Sequence, residues 1–260
     1  MNKLIASDID GTLLQHGQQH ISESFIKVIK ELKKIGVTFV AASGRQLPSL
    51  RTLFKDVLDD IYIVAENGAI ASYKNEIIFE KTMSPSLAHE IVTDIMRTPG
   101  CDPIISTKET VYISKKANDF FRETHRELIY TTTVTDDFYS IRNGVLKVTA
   151  CNYDGIRNDV KAFADSWKKF AEVTMSGFMY CDFMDLSVSK GNALEKIQNI
   201  LDLKPEECIA FGDNFNDISM FDKVESSFAM VRADDKVKEY ARYQTENVED
   251  TVRKIYNITS

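Results

Sequence analysis

The stretch KLIASDIDGT, residues 3–12, decides the fold. Its first half is a short apolar run without polar alternation, which predicts a strand buried on both faces, as in a parallel sheet. Asp8 and Asp10 follow at once, and ligands bind at this edge of open α/β sheets. Two adjacent carboxylates repel each other unless a cation lies between them, so the stretch predicts a Mg²⁺ site. The alternative is a solvated Asp-Ile-Asp-Gly turn.

Composition narrows the class of partner. The chain has 260 residues, 43% of them hydrophobic, with a net charge of −7. This acidic balance argues against nucleic acid as the main partner, and no apolar run is long enough to span a bilayer. The cysteines contain no Cys-x-x-Cys pair, so we expect them to be reduced and buried in a cytoplasmic protein. They are Cys101, Cys151, Cys181 and Cys208.

The order of the predicted elements indicates the domain organisation. Apolar strands at Val37–Ala42 and Ile61–Ala65 alternate with amphipathic helices, and a hairpin is predicted over Lys74-Asn75. This order favours a Rossmann-like, doubly wound parallel α/β sheet. After Lys81 the pattern changes to short strands and helices, including a polar helix over residues 117–128. We therefore expect a core of residues 1–82 and 188–260, and an inserted α+β domain of residues 83–187.

Polar side chains follow several of the predicted strands. Ser43 follows the second strand, Lys190 opens the helix after the insert, and a later strand is followed by Asp213, Asn216 and Asp217. In a parallel sheet the carboxyl ends of the strands lie on one edge, so these residues can converge with Asp8. Carboxylates, a hydroxyl, a lysine and amides suit phosphoryl chemistry, which depends on charge neutralisation and positioning.

Four motifs in this order resemble those of the haloacid dehalogenase superfamily, in its Cof-type sugar-phosphatase-like branch. They are Asp8-x-Asp10-Gly11-Thr12, Ser43-Gly44-Arg45, Lys190-Gly191 and Gly212-Asp213-x-x-Asn216-Asp217. The stretch Glu66-Asn67-Gly68-Ala69 also resembles that branch. Each motif alone is modest, whereas four in order across the whole chain are a specific signal. The insert is similar in size to the larger cap domain of the branch.

The resemblance implies a Mg²⁺-dependent phosphatase for small phosphate monoesters such as sugar phosphates. Asp8 would be the nucleophile and form an aspartyl-phosphate, and Asp10 would be the general acid and base. Ser43 and Lys190 would complete the catalytic set. Contacts with phosphate or substrate are implied for Ser43, Gly44, Arg45, Lys190 and Asn216. Metal ligation is implied for Asp8, the backbone carbonyl of Asp10, and Asp213, with Asp217 supporting the metal shell or orienting Lys190.

Alternatives remain at the level of both function and single residues. A phosphomutase, or a non-catalytic binding protein of the same fold, would share these motifs. Ser43 and Asp217 could be helix N-caps, and Arg45 could form a surface salt bridge instead of contacting substrate. Glu66-Asn67-Gly68 is interpreted as a structural turn.

One departure from the branch is Arg232, which stands where the branch often has asparagine. We interpret it as a residue that could favour an anionic substrate. The expected partner is a small phosphorylated metabolite, with neither nucleic acid nor a membrane involved. The expected state is a monomer or a small homo-oligomer, and the inserted domain is expected to act as a lid that excludes water.

Overall fold

The computed structural model describes residues 3–15, 18–124, 131–176 and 178–259. The chain forms two compact units. Unit 1 comprises Met1–Phe79 and Ser189–Ser260, and unit 2 comprises Glu80–Val188. These boundaries differ from those expected from the sequence by three residues at the first junction and by one residue at the second.

The secondary structure is mixed throughout. In chain order the strands are β1 (Leu4–Asp8), β2 (Thr38–Ala42), β3 (Ile61–Ala65), β4 (Ile70–Tyr73), β5 (Glu76–Glu80), β6 (Cys101–Ser106), β7 (Val111–Ile113), β8 (Thr132–Val134), β9 (Lys147–Asn152), β10 (Glu172–Met175), β11 (Tyr180–Met184), β12 (Cys208–Gly212), β13 (Ser226–Met230) and β14 (Tyr243–Thr245). The helices are α1 (Glu23–Lys34), α2 (Leu47–Leu53), α3 (Pro85–Arg97), α4 (Lys115–Thr124), α5 (Arg157–Trp167), α6 (Lys190–Ile200), α7 (Ile218–Phe221), α8 (Asp235–Lys238) and α9 (Val248–Tyr256).

Unit 1 is built on one sheet with the strand order β14-β13-β12-β1-β2-β3-β4-β5. The strands from β14 to β3 are parallel, whereas β4 runs antiparallel to β3. All five residues of β1 are buried, as expected for a strand flanked by β12 and β2. The predicted hairpin turn is present, with φ angles of 49° at Lys74 and 64° at Asn75. The predicted parallel α/β core is confirmed.

Different helices cover the two faces of this sheet. On one face Leu4 packs in a cluster with Leu194 of α6 and Met220 of α7. On the other face Phe39 makes an edge-to-face contact with Phe25 of α1, with ring centroids 5.5 Å apart. The Ser22 hydroxyl caps α1 by accepting the Phe25 N–H. The fold is therefore doubly wound, which brings the carboxyl ends of the parallel strands to one edge.

Unit 2 has its own sheet, in the order β10-β11-β9-β6-β7-β8. Its pairs are antiparallel except for β7 and β8, which are parallel. Helices α3 and α5 supply Ile91 and Phe163 to a core shared with Val148 and Phe183 of the sheet. The predicted helix over 117–128 is present as α4 up to Thr124, and its remainder lies outside the described residues. The insert is α+β, as predicted.

All four cysteines are free and buried. In the portions of the chain that the structure describes, no helix combines the length and the apolar character that crossing a bilayer requires.

Candidate active site

The site lies where β1 and β12 end. Asp8 is the last residue of β1 and Asp213 follows β12, and because the two strands are parallel neighbours their ends meet. Lys190 reaches the same place from the first turn of α6. The Ser189 hydroxyl starts this helix by accepting the Asn192 N–H at 3.0 Å. Three segments distant in sequence thus converge.

Lys190 is held between two carboxylates. Its Nζ donates to Asp8 Oδ1 at 2.5 Å and to Asp217 Oδ1 at 2.6 Å, and only 1% of the residue is exposed. Burial lowers the pKa of Lys190, but the two carboxylates outweigh that effect and the net pKa is raised. Lys190 therefore remains a charged ammonium beside Asp8.

Asp217 connects Lys190 to the loop that follows β12. Its second oxygen, Oδ2, accepts the backbone N–H groups of Asp213 at 2.9 Å and Asn214 at 3.0 Å. The side chain thus caps the turn that begins at Asn214 and makes no cap hydrogen bond to its own helix, α7. With both oxygens engaged, Asp217 is suited to orienting Lys190, which is one of the two roles that the sequence left open.

The loop after β1 closes around Asp213. Thr12 Oγ1 donates to Asp213 Oδ1 at 2.5 Å. A Cβ atom at Gly11 would lie 2.3 Å from Asp213 Oδ2, and Gly11 has a φ of 91°, so both space and backbone favour glycine. Sequence reasoning gave Thr12 no role, although its hydroxyl follows the same strand as Asp8 and Asp10.

The acidic cluster fits a divalent cation. Asp8, Asp213 and Asp217 each offer an oxygen within 4.8 Å of the others. If all three were ionised, these carboxylates would exceed the one ammonium by two negative charges, a state that burial makes costly without a further cation. Burial raises the pKa of Asp8 well above its usual range, Asp217 and Asp213 add to the rise, and Lys190 opposes it. Burial also raises the pKa of Asp213, against the hydrogen bond from Thr12. Oxygen donors with excess negative charge are what Mg²⁺ takes in proteins.

Asp10 does not join this cluster. Its side chain is 51% exposed and forms a bidentate salt bridge with Arg45, whose Nε lies 2.7 Å from Oδ2 and whose Nη2 lies 2.5 Å from Oδ1. The Asp10 carboxylate thus lies outside the group of Asp8, Asp213 and Asp217, and metal ligation by the Asp10 backbone carbonyl stays a prediction. Of the two interpretations of Arg45, the structure shows the salt bridge, whose partner is the predicted acid and base.

The remaining predicted residues lie on neighbouring loops. Ser43 is buried and its Oγ accepts the Arg45 N–H at 3.1 Å. Helix α2 begins after Gln46, so the helix-cap interpretation of Ser43 is wrong. Asn216 donates through Nδ2 to Asn67 Oδ1 at 3.1 Å. From the sequence, Asn67 was interpreted only as part of a structural turn, although it follows β3 at the edge where the other functional strand ends lie.

Arg232 has a partner within its own chain. Its Nε and Nη2 donate to the carbonyl oxygen of Gly11 at 2.9 and 2.6 Å. The guanidinium therefore holds the loop that carries Thr12, which is a different role from the attraction of an anionic substrate proposed from the sequence.

Comparison with known proteins identifies the family of the chain. A family model described as haloacid dehalogenase-like hydrolase matches residues 5–254. The 5-amino-6-(5-phospho-D-ribitylamino)uracil phosphatase YcsE of Bacillus subtilis is 30% identical, over 97% of this chain and 93% of its own. The Escherichia coli phosphatase YbjI, which has the same enzyme description, is 27% identical over 97% of this chain and 96% of its own. The solved structure of SMU.1108c from Streptococcus mutans has a TM-score of 0.89 at 26% identity, covering 99% of this chain and 100% of its own.

Proposed function

The chain belongs to the haloacid dehalogenase-like hydrolases and is a phosphatase, and from this premise we propose that it hydrolyses small phosphate monoesters with Mg²⁺, through a phosphorylated Asp8. The observation that carries the proposal is the buried position of Asp8 at the end of β1, with Lys190 on one of its oxygens and Asp213 beside it. A carboxylate nucleophile is effective only where the charge of the incoming phosphate is neutralised.

In the first step an Asp8 oxygen attacks phosphorus and the bond to the leaving alcohol breaks. Lys190 orients the attacking carboxylate through Oδ1 and offsets negative charge on the transferring group. Ser43, the Gly44 backbone and Asn216 contact the phosphoryl oxygens. In the second step water attacks the same phosphorus, which releases phosphate and restores Asp8.

Asp10 handles the protons of both steps. It donates a proton to the leaving alcohol oxygen and then takes one from the attacking water. Arg45 engages both Asp10 oxygens in the structure through a charge-assisted, bidentate contact. An incoming phosphate is a second anion for Arg45. Transfer of Arg45 from Asp10 to the phosphate would leave Asp10 free to carry the proton.

A Mg²⁺ ion would be held by Asp8 and Asp213, with Asp217 in support through Lys190. When bound, it would neutralise phosphate charge and thereby favour nucleophilic attack. The presence of three carboxylates around one ammonium supports this assignment.

We propose that the substrate is a small phosphorylated metabolite and that unit 2 sets specificity. The names of YcsE and YbjI specify a phosphorylated ribitylamino-uracil, which makes that compound the first to test, beside sugar phosphates. The four buried, free cysteines support a reducing, cytoplasmic location.

The experiment measures phosphate release from such a panel by wild type and by Asp8→Asn, with Mg²⁺ or with a chelator. We expect release that requires Mg²⁺ and that Asp8→Asn abolishes. Incorporation of labelled oxygen from water into the released phosphate separates hydrolysis from phosphomutase transfer. Folded wild type that binds Mg²⁺ but releases no phosphate from any ester would support the mutase or binding alternatives instead.

A further inference from the structure

The turn after β3 has an unusual backbone. Glu66 and Asn67 have φ angles of 49° and 55°, and both residues are buried. Residues that carry a side chain adopt this left-handed region at an energetic cost, and they keep it where their surroundings impose the conformation. Here the surroundings are the loop after β2, because the Glu66 N–H donates to the Arg45 carbonyl and the Asn67 N–H to the Ser43 carbonyl, each at 3.0 Å.

The side chain of Asn67 continues the connection to a third segment. Its Oδ1 accepts the Nδ2 proton of Asn216, which is 149 residues away in sequence. A Cβ atom at Gly44 would lie 2.9 Å from Asn67 Oδ1, so Gly44 leaves the room that this amide needs. Asn67 therefore links the loop after β2 to the loop after β12.

This hydrogen bond fixes which way the Asn216 amide points. If the amide turned over, its Oδ1 would face the Oδ1 of Asn67, and two acceptors would repel. In the observed orientation Asn216 Oδ1 is buried with no hydrogen-bond partner among the described residues. A buried acceptor without a donor is costly, and the Asn67 contact explains why the amide nevertheless keeps this orientation.

We propose that Asn67 is a positioning residue for phosphate binding. It holds the Asn216 amide so that the second Nδ2 proton is available to a phosphate oxygen, which can only accept. Through its backbone it also ties the Ser43 loop to the same turn. This inference rests on the proposed function, in which Asn216 and Ser43 contact the phosphoryl group.

The test is a double-mutant cycle read by binding of inorganic phosphate, in the presence of Mg²⁺, with isothermal calorimetry. Asn67→Gly retains access to the left-handed conformation but removes Oδ1. We expect it to weaken phosphate binding about tenfold, the value of one or two hydrogen bonds. Asn216→Ala should have a similar effect, and the double variant should bind no more weakly than Asn216→Ala alone, because Asn67 acts through Asn216.

Two further variants serve as controls. Asn75→Gly makes the same change at a left-handed asparagine on the exposed hairpin turn of unit 1, and should leave phosphate binding unchanged. Asn67→Asp keeps an acceptor oxygen in place. In that background Asn216→Ala should still weaken binding, whereas in the Asn67→Gly background it should not. If Asn67→Gly fails to fold, Asn67→Ala, which also removes Oδ1, replaces it in the cycle.

The outcomes separate this inference from the proposed function. Additive losses in the double variant, or unchanged phosphate binding by folded Asn67→Gly, would overturn the role of Asn67 even if the enzyme releases phosphate. Non-additive losses in a protein that hydrolyses no ester would support the role of Asn67 while the proposed reaction fails. If wild type binds no phosphate, both are overturned.

Discussion

Unit 1 and unit 2 each bury a lysine beside an aspartate, yet the two lysines have different surroundings. Lys190 in unit 1 lies between Asp8 and Asp217, with Asp213 in the same cluster. In unit 2 the Nζ atom of Lys147 lies 3.3 Å from Oδ2 of Asp182, which is on the neighbouring strand. The other oxygen of Asp182 accepts the Thr149 hydroxyl at 2.6 Å.

The difference teaches that a buried charge by itself does not mark an active site. A buried pair of opposite charges can serve packing or strand register alone. The cluster around Lys190 has more carboxylates than its ammonium can balance, and such an imbalance is maintained where a cation or a reacting group takes part. The comparison can be tested by making the same change in both units.

The largest expected effect is on activity. Lys190→Met should lower the rate of phosphate release by about 10²–10³-fold, because it removes the charge that offsets the transferring phosphoryl group. Lys147→Met should yield a folded protein in which phosphate release that depends on Asp8 is still measurable. Steady-state kinetics, with circular dichroism to verify folding, measure both. Equal loss of activity in a folded Lys147→Met variant would mean that the two lysines do not differ as described.

The free energy of unfolding should respond differently to the same isosteric change in the two units. Asp182→Asn should lower the free energy of unfolding by about 3–5 kcal/mol, because the buried Lys147 loses a charged partner. Asp8→Asn should leave it unchanged or raise it, since burial already favours the neutral form of Asp8 and Lys190 keeps Asp217. Urea unfolding in chelator at pH 7 measures both values. Comparable destabilisation by the two variants would contradict the charge excess assigned to unit 1.

Mg²⁺ should stabilise the protein in a pH-dependent way. The pKa of Asp8 is raised in the folded state, so protonation of Asp8 stabilises the metal-free protein. This contribution to the free energy of unfolding is complete below the usual carboxyl pKa and is lost as pH rises toward the raised value. Mg²⁺ competes with that proton, so its stabilisation should grow over the same interval, to about 2.7 kcal/mol at 100 times its dissociation constant. Thermal unfolding from pH 4 upward tests this. Asp213→Asn should remove most of the gain, and a gain that is constant with pH would contradict the prediction.

The smallest effect concerns the loop that closes over Asp213. Arg232→Ala should lower kcat/KM by about fivefold, because two charge-assisted hydrogen bonds to Gly11 are lost at an exposed position. The loss should be the same for every monoester, since the guanidinium holds backbone and not substrate. Arg242→Ala, which breaks an exposed pair with Glu225, is the matched control and should have no effect. A loss confined to the most anionic substrates would restore the sequence-based interpretation of Arg232.

The sequence was sufficient to predict those strands whose position in the sheet is determined by burial and hydrophobic periodicity. The apolar run before Asp8 predicts a buried strand, and the edge rule for parallel sheets then brings the ends of β1 and β12, with Asp8 and Asp213, together. Strand β8 could not be placed in this way, because none of its residues is buried and no apolar pattern specifies its neighbour.

The finer geometry of the site was beyond sequence reasoning for a different reason. The salt bridge of Arg45 with Asp10 and the contact of Arg232 with Gly11 depend on side-chain directions, which only the packed structure defines. The left-handed backbone at Glu66 is also imposed by tertiary hydrogen bonds, since glutamate has no preference for it.

The position of β1 between β2 and β12 also affects how the protein matures on the ribosome. One neighbour is nearby in sequence, but Leu4 pairs with Cys208 on the other side, and the whole of unit 2 is synthesised in between. Until β12 emerges, β1 is an unpaired strand edge of the kind that invites association with other chains. Unit 2 is continuous and can fold during that wait, whereas the carboxylate cluster is assembled only after unit 2 has been synthesised.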